Sequence, residues 1–514
     1  MTERDASSGA LRRRDGADPE IVIVGAGMSG IAMAITLKRA GLDSFVVLEQ
    51  SRGVGGTWWD NSYPGAQCDV PSHLYSFSFE LKPDWTRAFA PSAEIQAYVE
   101  HCVRRYAIGP HIELATTVTS AAFDERAGRW QLKTSTGRSY RPRHFVLSLG
   151  PLNHPRLPPG VEAFRGTVMH TARWDHAYDF GGKRVAVIGS AASAVQVVPP
   201  LAARAAKLTV FQRSPSWIVA RPDHPFGALA KRLFRNRLIA RAYRGWLYWR
   251  FEANFAAFKG RGPMYRLLTH MARTHLEKQV ADPALRAKLR PDYPMGCKRI
   301  LVASDFYPAL TRPNVELVAQ AAAGFTASGV TGADGRHHEV DAIVCATGFE
   351  TLDPLAKLPI AGRGGRTLAA AWREGPEAYH GVTVAGFPNL FLLLGPNTGT
   401  GHISVLIPIE AQARYTLACI RETERRRAQS LEVRAEVMAR HNVELQRRMA
   451  ATVWASPACS SWYKNASGKV FAAYPGYITR YVLELRRPRF DDYDFEQGPA
   501  SAPGRAALAG EDAR

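Results

Sequence analysis

The chain of 514 residues is poor in cysteine: Cys68, Cys102, Cys297, Cys345, Cys419 and Cys459 are all it has, with no CxxC pair and no metal-ligand spacing. That excludes a disulfide scaffold and a cysteine-based metal centre, and it sets an expectation of free thiols in a reducing cytoplasm. Long apolar runs are missing too. The best candidate, Val382 to Leu394, is broken by Gly386 and Pro388 and falls short of the roughly 20 residues that a membrane-spanning helix needs. No apolar stretch in residues 1–18 precedes a small-residue cleavage site, so that segment reads as a frayed tail and no secretory signal is expected. Residues 495–514, rich in Ala, Gly, Pro and charge, read as a second disordered tail. Acidic residues are outnumbered, 46 against 66 Lys plus Arg, for a net charge of +20. Such an excess suits nucleic acid, an anionic membrane surface or phosphate-bearing ligands. The positive residues are scattered, however, with denser clusters at 12–14, 231–250 and 421–427, and no basic-aromatic repeat of an RNA-binding sheet is present. A solvated basic surface without a nucleic-acid partner is therefore expected.

What the chain does have is an internal echo. Ile21 to Val24 is a β-branched apolar run that ends in Gly25-Ala26-Gly27-Met28-Ser29-Gly30, followed by helical periodicity through Ala40 and a second strand at Ser44 to Leu48. Val185 to Ile188 repeats the pattern: a turn from Gly189 to Ala194, a helical stretch through Ala206, and the strand Leu208 to Phe211. Each is one βαβ unit. In the first, Gly25 permits a tight turn, Gly27 lets backbone approach a pyrophosphate, and Gly30 lets helix and strand pack closely. Glu49, 24 positions after Gly25, is placed to accept hydrogen bonds from ribose hydroxyls and to repel a 2′-phosphate, which selects FAD or NAD. In the second, Arg213 stands at the same offset from Gly189 and can clamp a 2′-phosphate, which selects NADP. Gly189, Ser190, Ser193 and Ala194 are the expected contacts of that turn. Ala191 replaces the middle glycine, so its methyl sets the pyrophosphate slightly farther out.

A flavin beside a reduced nicotinamide passes hydride onward to a disulfide, a quinone or dioxygen. A disulfide reductase needs a cysteine pair soon after the first helix; Cys68 stands alone there. The chain also contains Gly55-Gly56-Thr57-Trp58 followed by Tyr63-Pro64-Gly65 and Asp69, and then Phe164, Gly166, His170, Trp174 and Asp175. These fit GGxWxxxxYPGxxxD and FxGxxxHxxxWD, and the chain resembles the type I Baeyer–Villiger monooxygenases from about residue 19 to about 490.

The resemblance implies an NADPH- and FAD-dependent monooxygenase that inserts one oxygen of O2 beside a ketone carbonyl, through a flavin peroxide, to give an ester or lactone. It implies that Arg299 is catalytic, that Lys298 contacts the NADP phosphate, and that Asp69 holds Arg299 beside the flavin. It also implies that Gly56, Thr57, Trp58 and Tyr75 line the flavin, that His170 links domain motion to the cofactors, and that Trp462 lies near NADP. Gln67 stands where some members carry arginine. Oxygenation of amines or sulfides is the alternative reaction, and a non-catalytic nucleotide- or nucleic-acid-binding protein the remoter one.

The expected fold is α/β: two Rossmann-like dinucleotide-binding domains with a helical insertion. The FAD domain spans 19–155 and 342–494, and the NADP domain spans 156–341 with the insertion at about 224–296. No metal is expected. The insertion carries a basic, aromatic stretch from Phe226 to Phe258 with apolar residues at helical spacing. Its expected role is to pack on the NADP domain and shape substrate entry; contact with an anionic membrane surface or a partner are the alternatives.

Overall fold

Two five-stranded parallel sheets organise the computed structural model, which describes residues 18–350 and 358–498. The rest of the two expected tails lies outside the described residues. In the first sheet the spatial order is Leu390–Leu392, His144–Leu147, Ile21–Val24, Phe45–Leu48, Ile112–Glu113. In the second it is Val315–Val318, Lys207–Phe211, Arg184–Ile188, Ala342–Cys345, Thr167–His170. Every neighbouring pair in both is parallel.

The continuous apolar runs are explained by burial on both faces. Ile21, Ile23, Phe45 and Val47 face a helical layer in which α1 (Met28–Arg39) meets the long helix Leu406–Arg425. Val22, Val24, Val46 and Leu48 face a second core with Trp130, Leu132 and Tyr140, from the four-stranded sheet that flanks this domain. The second domain repeats the arrangement. Val185, Val187, Leu208 and Val210 meet α2 (Ala192–Ala202), while Ala186, Ile188 and Phe211 meet Val330 of a three-stranded antiparallel sheet.

Three boundaries differ from expectation. Ala342–Cys345 pairs with Arg184–Ile188 and Thr167–His170, so it belongs to the second sheet and the chain returns to the first domain only beyond it. A buried apolar strand looks the same from sequence whichever sheet receives it. Tyr493–Gln497 is a strand paired antiparallel with Ala428–Val433, so 495–497 are ordered; Glu496 is held there by Arg363 and Ser430. The insertion also docks elsewhere. Phe226, just before α3 (Ala228–Phe234), packs against the first domain's core with Leu247, Tyr243 and Phe251 of α4 (Arg237–Ala253), whereas the following helices, α5 (Pro263–Gln279) and Pro283–Leu289, place Leu276 and Leu289 in the NADP-side core. An apolar stripe shows that a helix has a buried face without showing what covers it.

The two chain crossings between domains run side by side. Pro155 bridges Phe349, the Arg156 N–H donates to the Gly348 carbonyl (3.0 Å), and the Glu350 N–H donates to the His154 carbonyl (3.0 Å). His170, at the end of its strand, donates from Nε2 to the same Gly348 carbonyl (3.1 Å) and accepts the Ala172 N–H at Nδ1 (3.1 Å).

Burial holds His73, His170 and His441 at about 4 and His380 at about 3, below the usual 6.5. The unfolded chain takes up these protons near pH 6.5 while the fold refuses them until about pH 4. Their contribution is thus complete above about pH 6.5 and is lost as the pH falls through this window. Thermal melts should show Tm dropping steadily from about pH 7 to about pH 4.5, and a flat profile would contradict the burial of these rings.

Candidate active site and cofactor clefts

Both glycine turns stand at the C-terminal ends of their central strands, where a doubly wound sheet binds its ligand. Gly25 has φ +101°, and a Cβ on Gly30 would lie 1.8 Å from the Gly25 carbonyl oxygen, so neither admits a side chain without movement. Gly27 differs. A Cβ there would meet only the Gly56 Cα at 3.7 Å, so its backbone is open to close approach. As N-cap of α1 it offers no side-chain cap, and no side chain caps α2 at Ala191 either, which leaves the first-turn N–H groups of both helices for anionic oxygens. Glu49 is buried, with its carboxylate accepting the N–H groups of Ala26 (2.6 Å) and Ser51 (2.8 Å), which pins it beside the first turn.

In the second turn the Ser190 hydroxyl donates to the Ser214 carbonyl (2.9 Å), and the Ser216 hydroxyl donates to the Ser190 carbonyl (3.0 Å), tying it to the segment after Arg213. Ala194 is fully buried in the second core, and Ser193 lies within hydrogen-bonding reach of Tyr63. Arg213 is exposed, with no carboxylate in ion-pair contact among the described residues. The Lys298 ammonium donates to the Ser214 hydroxyl (2.8 Å) and lies over the Tyr293 ring (4.4 Å). Burial and then the Arg213 charge lower the Lys298 pKa, so the two cations feel each other across a short gap. A doubly charged phosphate between them would relieve that repulsion.

Asp69 and Arg299 meet at the seam between the domains. The guanidinium donates from Nε (2.6 Å) and Nη2 (2.7 Å) to the two carboxylate oxygens, a bidentate pair 230 positions apart in sequence. Burial would raise the Asp69 pKa, but the charge and hydrogen bonds of Arg299 overcome it and leave it lowered. The Asp69 charge in turn raises Arg299. Both stay ionised, and Nη1 is free of the carboxylate. Nearby, the Trp58 indole N–H donates to the Tyr75 hydroxyl (3.1 Å), with the rings edge to face. Thr57 is exposed on the turn after Gly56, and Trp462 is exposed against Tyr463. Burial keeps His170 neutral between its two backbone partners, one of them on the crossing segment.

The first fingerprint builds the seam. A Cβ on Gly65 would fall 2.2 Å from the Gln196 carbonyl oxygen of α2, so the YPG turn touches that helix backbone to backbone. The Tyr63 hydroxyl donates to Gln196 Oε1 (2.8 Å), Gln196 Nε2 donates to the Gln67 carbonyl (2.9 Å), and Arg173 pairs with Asp60 (2.9 Å). In the second fingerprint Phe164 is core, while Trp174 stacks on Phe180 and lies beside Tyr63.

Comparison with known proteins decides the family. Residues 22–280 match the model of the pyridine nucleotide-disulphide oxidoreductase family. A Baeyer–Villiger monooxygenase of Pseudomonas aeruginosa is 42% identical over 94% of this chain and 92% of its own length. This chain belongs to the Baeyer–Villiger monooxygenases. Among solved structures, an oxidised steroid monooxygenase bound to NADP superposes with a TM-score of 0.82 at 31% identity, over 93% of this chain and 99% of that one. The OTEMO complex with FAD and NADP gives 0.82 at 26% identity, over 93% and 100%.

Within this monooxygenase several residues of the site carried no signal in sequence. Arg221, whose guanidinium donates to the Val302 carbonyl (2.6 Å), adds a second positive charge near Asp69. Tyr463 lies within electrostatic reach of Arg299. Glu252 of α4 holds His402 (3.1 Å) and accepts the Thr479 N–H (2.7 Å), a buried tie between the insertion and the first domain. A lone Arg, Tyr or Glu–His pair looks ordinary in sequence.

The expectation of six free thiols is corrected. Cys297 and Cys459 form a disulfide, while Cys68, Cys102, Cys345 and Cys419 are free and buried. Sequence spacing gave no hint, since 162 positions separate the two. Folding brings the loop that carries Lys298 and Arg299 against the segment that carries Trp462, into a core with Phe258, Met449 and Trp454. Thiol titration of the denatured, unreduced protein should count four groups, and six only after reduction; six at the outset would remove the bridge.

Proposed function

We propose that the chain uses NADPH, FAD and O2 to insert one oxygen atom beside the carbonyl of a lipophilic ketone, giving an ester or lactone. The observation that carries this reading is the bidentate Asp69–Arg299 pair lying between two glycine turns of opposite phosphate preference. The relatives, named as Baeyer–Villiger and steroid monooxygenases, support ketone oxidation over oxygenation of amines or sulfides. The basic surface needs no nucleic-acid role under this reading, and a cytoplasmic location belongs to the same proposal.

FAD and NADPH are the two cofactors. When bound, they supply the hydride transfer and the activation of dioxygen that no side chain can perform. The first domain holds FAD. Gly25, Gly27 and Gly30 and the first-turn N–H groups of α1 grip its pyrophosphate, Glu49 offers its remaining lone pairs to the ribose, and Gly56, Thr57, Trp58 and Tyr75 line the ring system. The second domain holds NADPH through Gly189, Ser190, Ser193 and the backbone of Ala194, with Arg213 and Lys298 on the 2′-phosphate and Trp462 beside it.

Arg299 is the catalytic residue of this reading. Asp69 engages Nε and Nη2, which leaves Nη1 as the donor that would stabilise negative charge on a reacting oxygen without giving up its proton. Asp69 is the positioning residue. Removing it would take away both hydrogen bonds that fix the orientation of the half-buried guanidinium. The Tyr63, Gly65 and Gln196 contacts hold the loop that carries Asp69 against α2. His170 keeps the crossing segments in register with the second sheet.

Two substitutions test the assignment. Arg213→Ala should weaken NADPH by about 1–3 kcal/mol and leave NADH nearly unchanged; equal loss for both would remove Arg213 from the phosphate. Arg299→Ala should retain yellow flavin and oxidise NADPH while ester from a cyclic ketone falls by about two orders of magnitude or more. Undiminished ester would sink the catalytic role. A holoenzyme that oxygenates a thioether and no ketone would overturn the reaction.

A further inference from the structure

The helix α4 has two apolar faces, and only one meets the protein. Ala240 and Leu247 are buried, Tyr243 and Phe251 are half-buried against the first domain, and the Arg244 guanidinium donates to the His73 (2.7 Å) and Leu74 (3.2 Å) carbonyls. On the opposite side Leu238, Ala242, Trp246 and Trp249 follow at intervals of four, four and three, which puts them on one stripe. Leu238 is 73% exposed, Trp246 52% and Trp249 63%. On α3, Leu229 and Leu233 are exposed one turn apart, and the two helices touch through Phe234 and Tyr243 (5.1 Å between rings). Single exposed leucines are ordinary, but a stripe of this kind on a folded surface marks contact with something apolar.

The charges flanking the stripe say what that is. Residues 224–251 contain Lys231, Arg232, Arg235, Arg237, Arg241, Arg244 and Arg250 and no Asp or Glu. Of these, Arg237 and Arg241 lie on one side of the outward stripe of α4 and Arg250 on the other, all exposed. The Arg250 guanidinium lies over the Trp246 ring (5.3 Å). A second copy docked through this face by a two-fold axis would set arginine against arginine with no acid in residues 224–251 to compensate. Nucleic acid would use the arginines and leave the leucines and tryptophans in water. An anionic bilayer satisfies both sets, because aliphatic side chains enter the acyl boundary, tryptophans sit at headgroup level, and arginines meet lipid phosphates.

We propose that the outward face of α4, with the adjoining end of α3, is a docking surface for an anionic phospholipid bilayer. The protein would lie on the membrane without crossing it, since no helix of the described residues is long and apolar enough to span one. None of these side chains is among those assigned to the cofactors or the reacting atoms, so this surface stands apart from the reading of the active site.

The test is flotation of the flavin-loaded, full-length protein with vesicles of phosphatidylcholine, with and without phosphatidylglycerol. Co-flotation with the anionic vesicles that weakens with salt is expected, and weak or no binding to phosphatidylcholine alone. The triple variant R237Q/R241Q/R250Q should bind anionic vesicles at least about tenfold more weakly, while R126Q/R312Q, outside the segment, should bind like wild type. Brominated lipid in the vesicles should quench tryptophan emission in the wild type and much less in W246F/W249F. Visible flavin absorbance in each variant certifies its fold. Absence of flotation with anionic vesicles, equal loss in both arginine variants, or quenching undiminished in W246F/W249F would each overturn the proposal. So would a wild-type dimer that L238S/W249S converts to monomer, which would assign the face to a second copy.

Discussion

A carboxylate and a guanidinium from different domains grip each other through two hydrogen bonds, and much of the site is arranged around that grip. Asp69 comes from the loop after the YPG turn and Arg299 from a loop of the second domain. Asp69 is mostly withdrawn from water, and Arg299 keeps it ionised. The pair therefore fixes the orientation of a permanent positive charge where the two domains meet.

Two chain segments cross between the domains side by side, zipped by the 154–156 and 348–350 hydrogen bonds, with His170 attached to the same Gly348 carbonyl. The Cys297–Cys459 bridge anchors the Lys298–Arg299 loop to the first domain's C-terminal segment, which makes that loop a third connection.

Much of this was legible in the residues. The two βαβ units followed from local pattern, because a buried parallel strand, a glycine turn and a helix declare themselves within about 30 residues, and the opposed charges of Glu49 and Arg213 stand at matching offsets from their turns. The apposition of Asp69 with Arg299 came from the family resemblance, not from any local rule. Features that depend on which surface meets which were illegible. The strand at 342–345 could have served either sheet, the stripe on α4 named a buried face without naming the first domain as its cover, and the disulfide joined residues whose neighbourhood exists only after folding. Gln196, which spans the seam in both directions, is an unremarked glutamine on a helix until its partners are brought to it.

The nested order of the two sheets bears on synthesis. The second sheet is complete once the chain has reached Cys345, whereas the first begins at Ile21 and waits for Leu390–Leu392 to supply its edge. On the ribosome the inner domain can mature while the earliest strands remain without their last neighbour. A chain halted between those points would carry a finished nicotinamide fold and an open strand edge, the kind of template on which nascent chains associate.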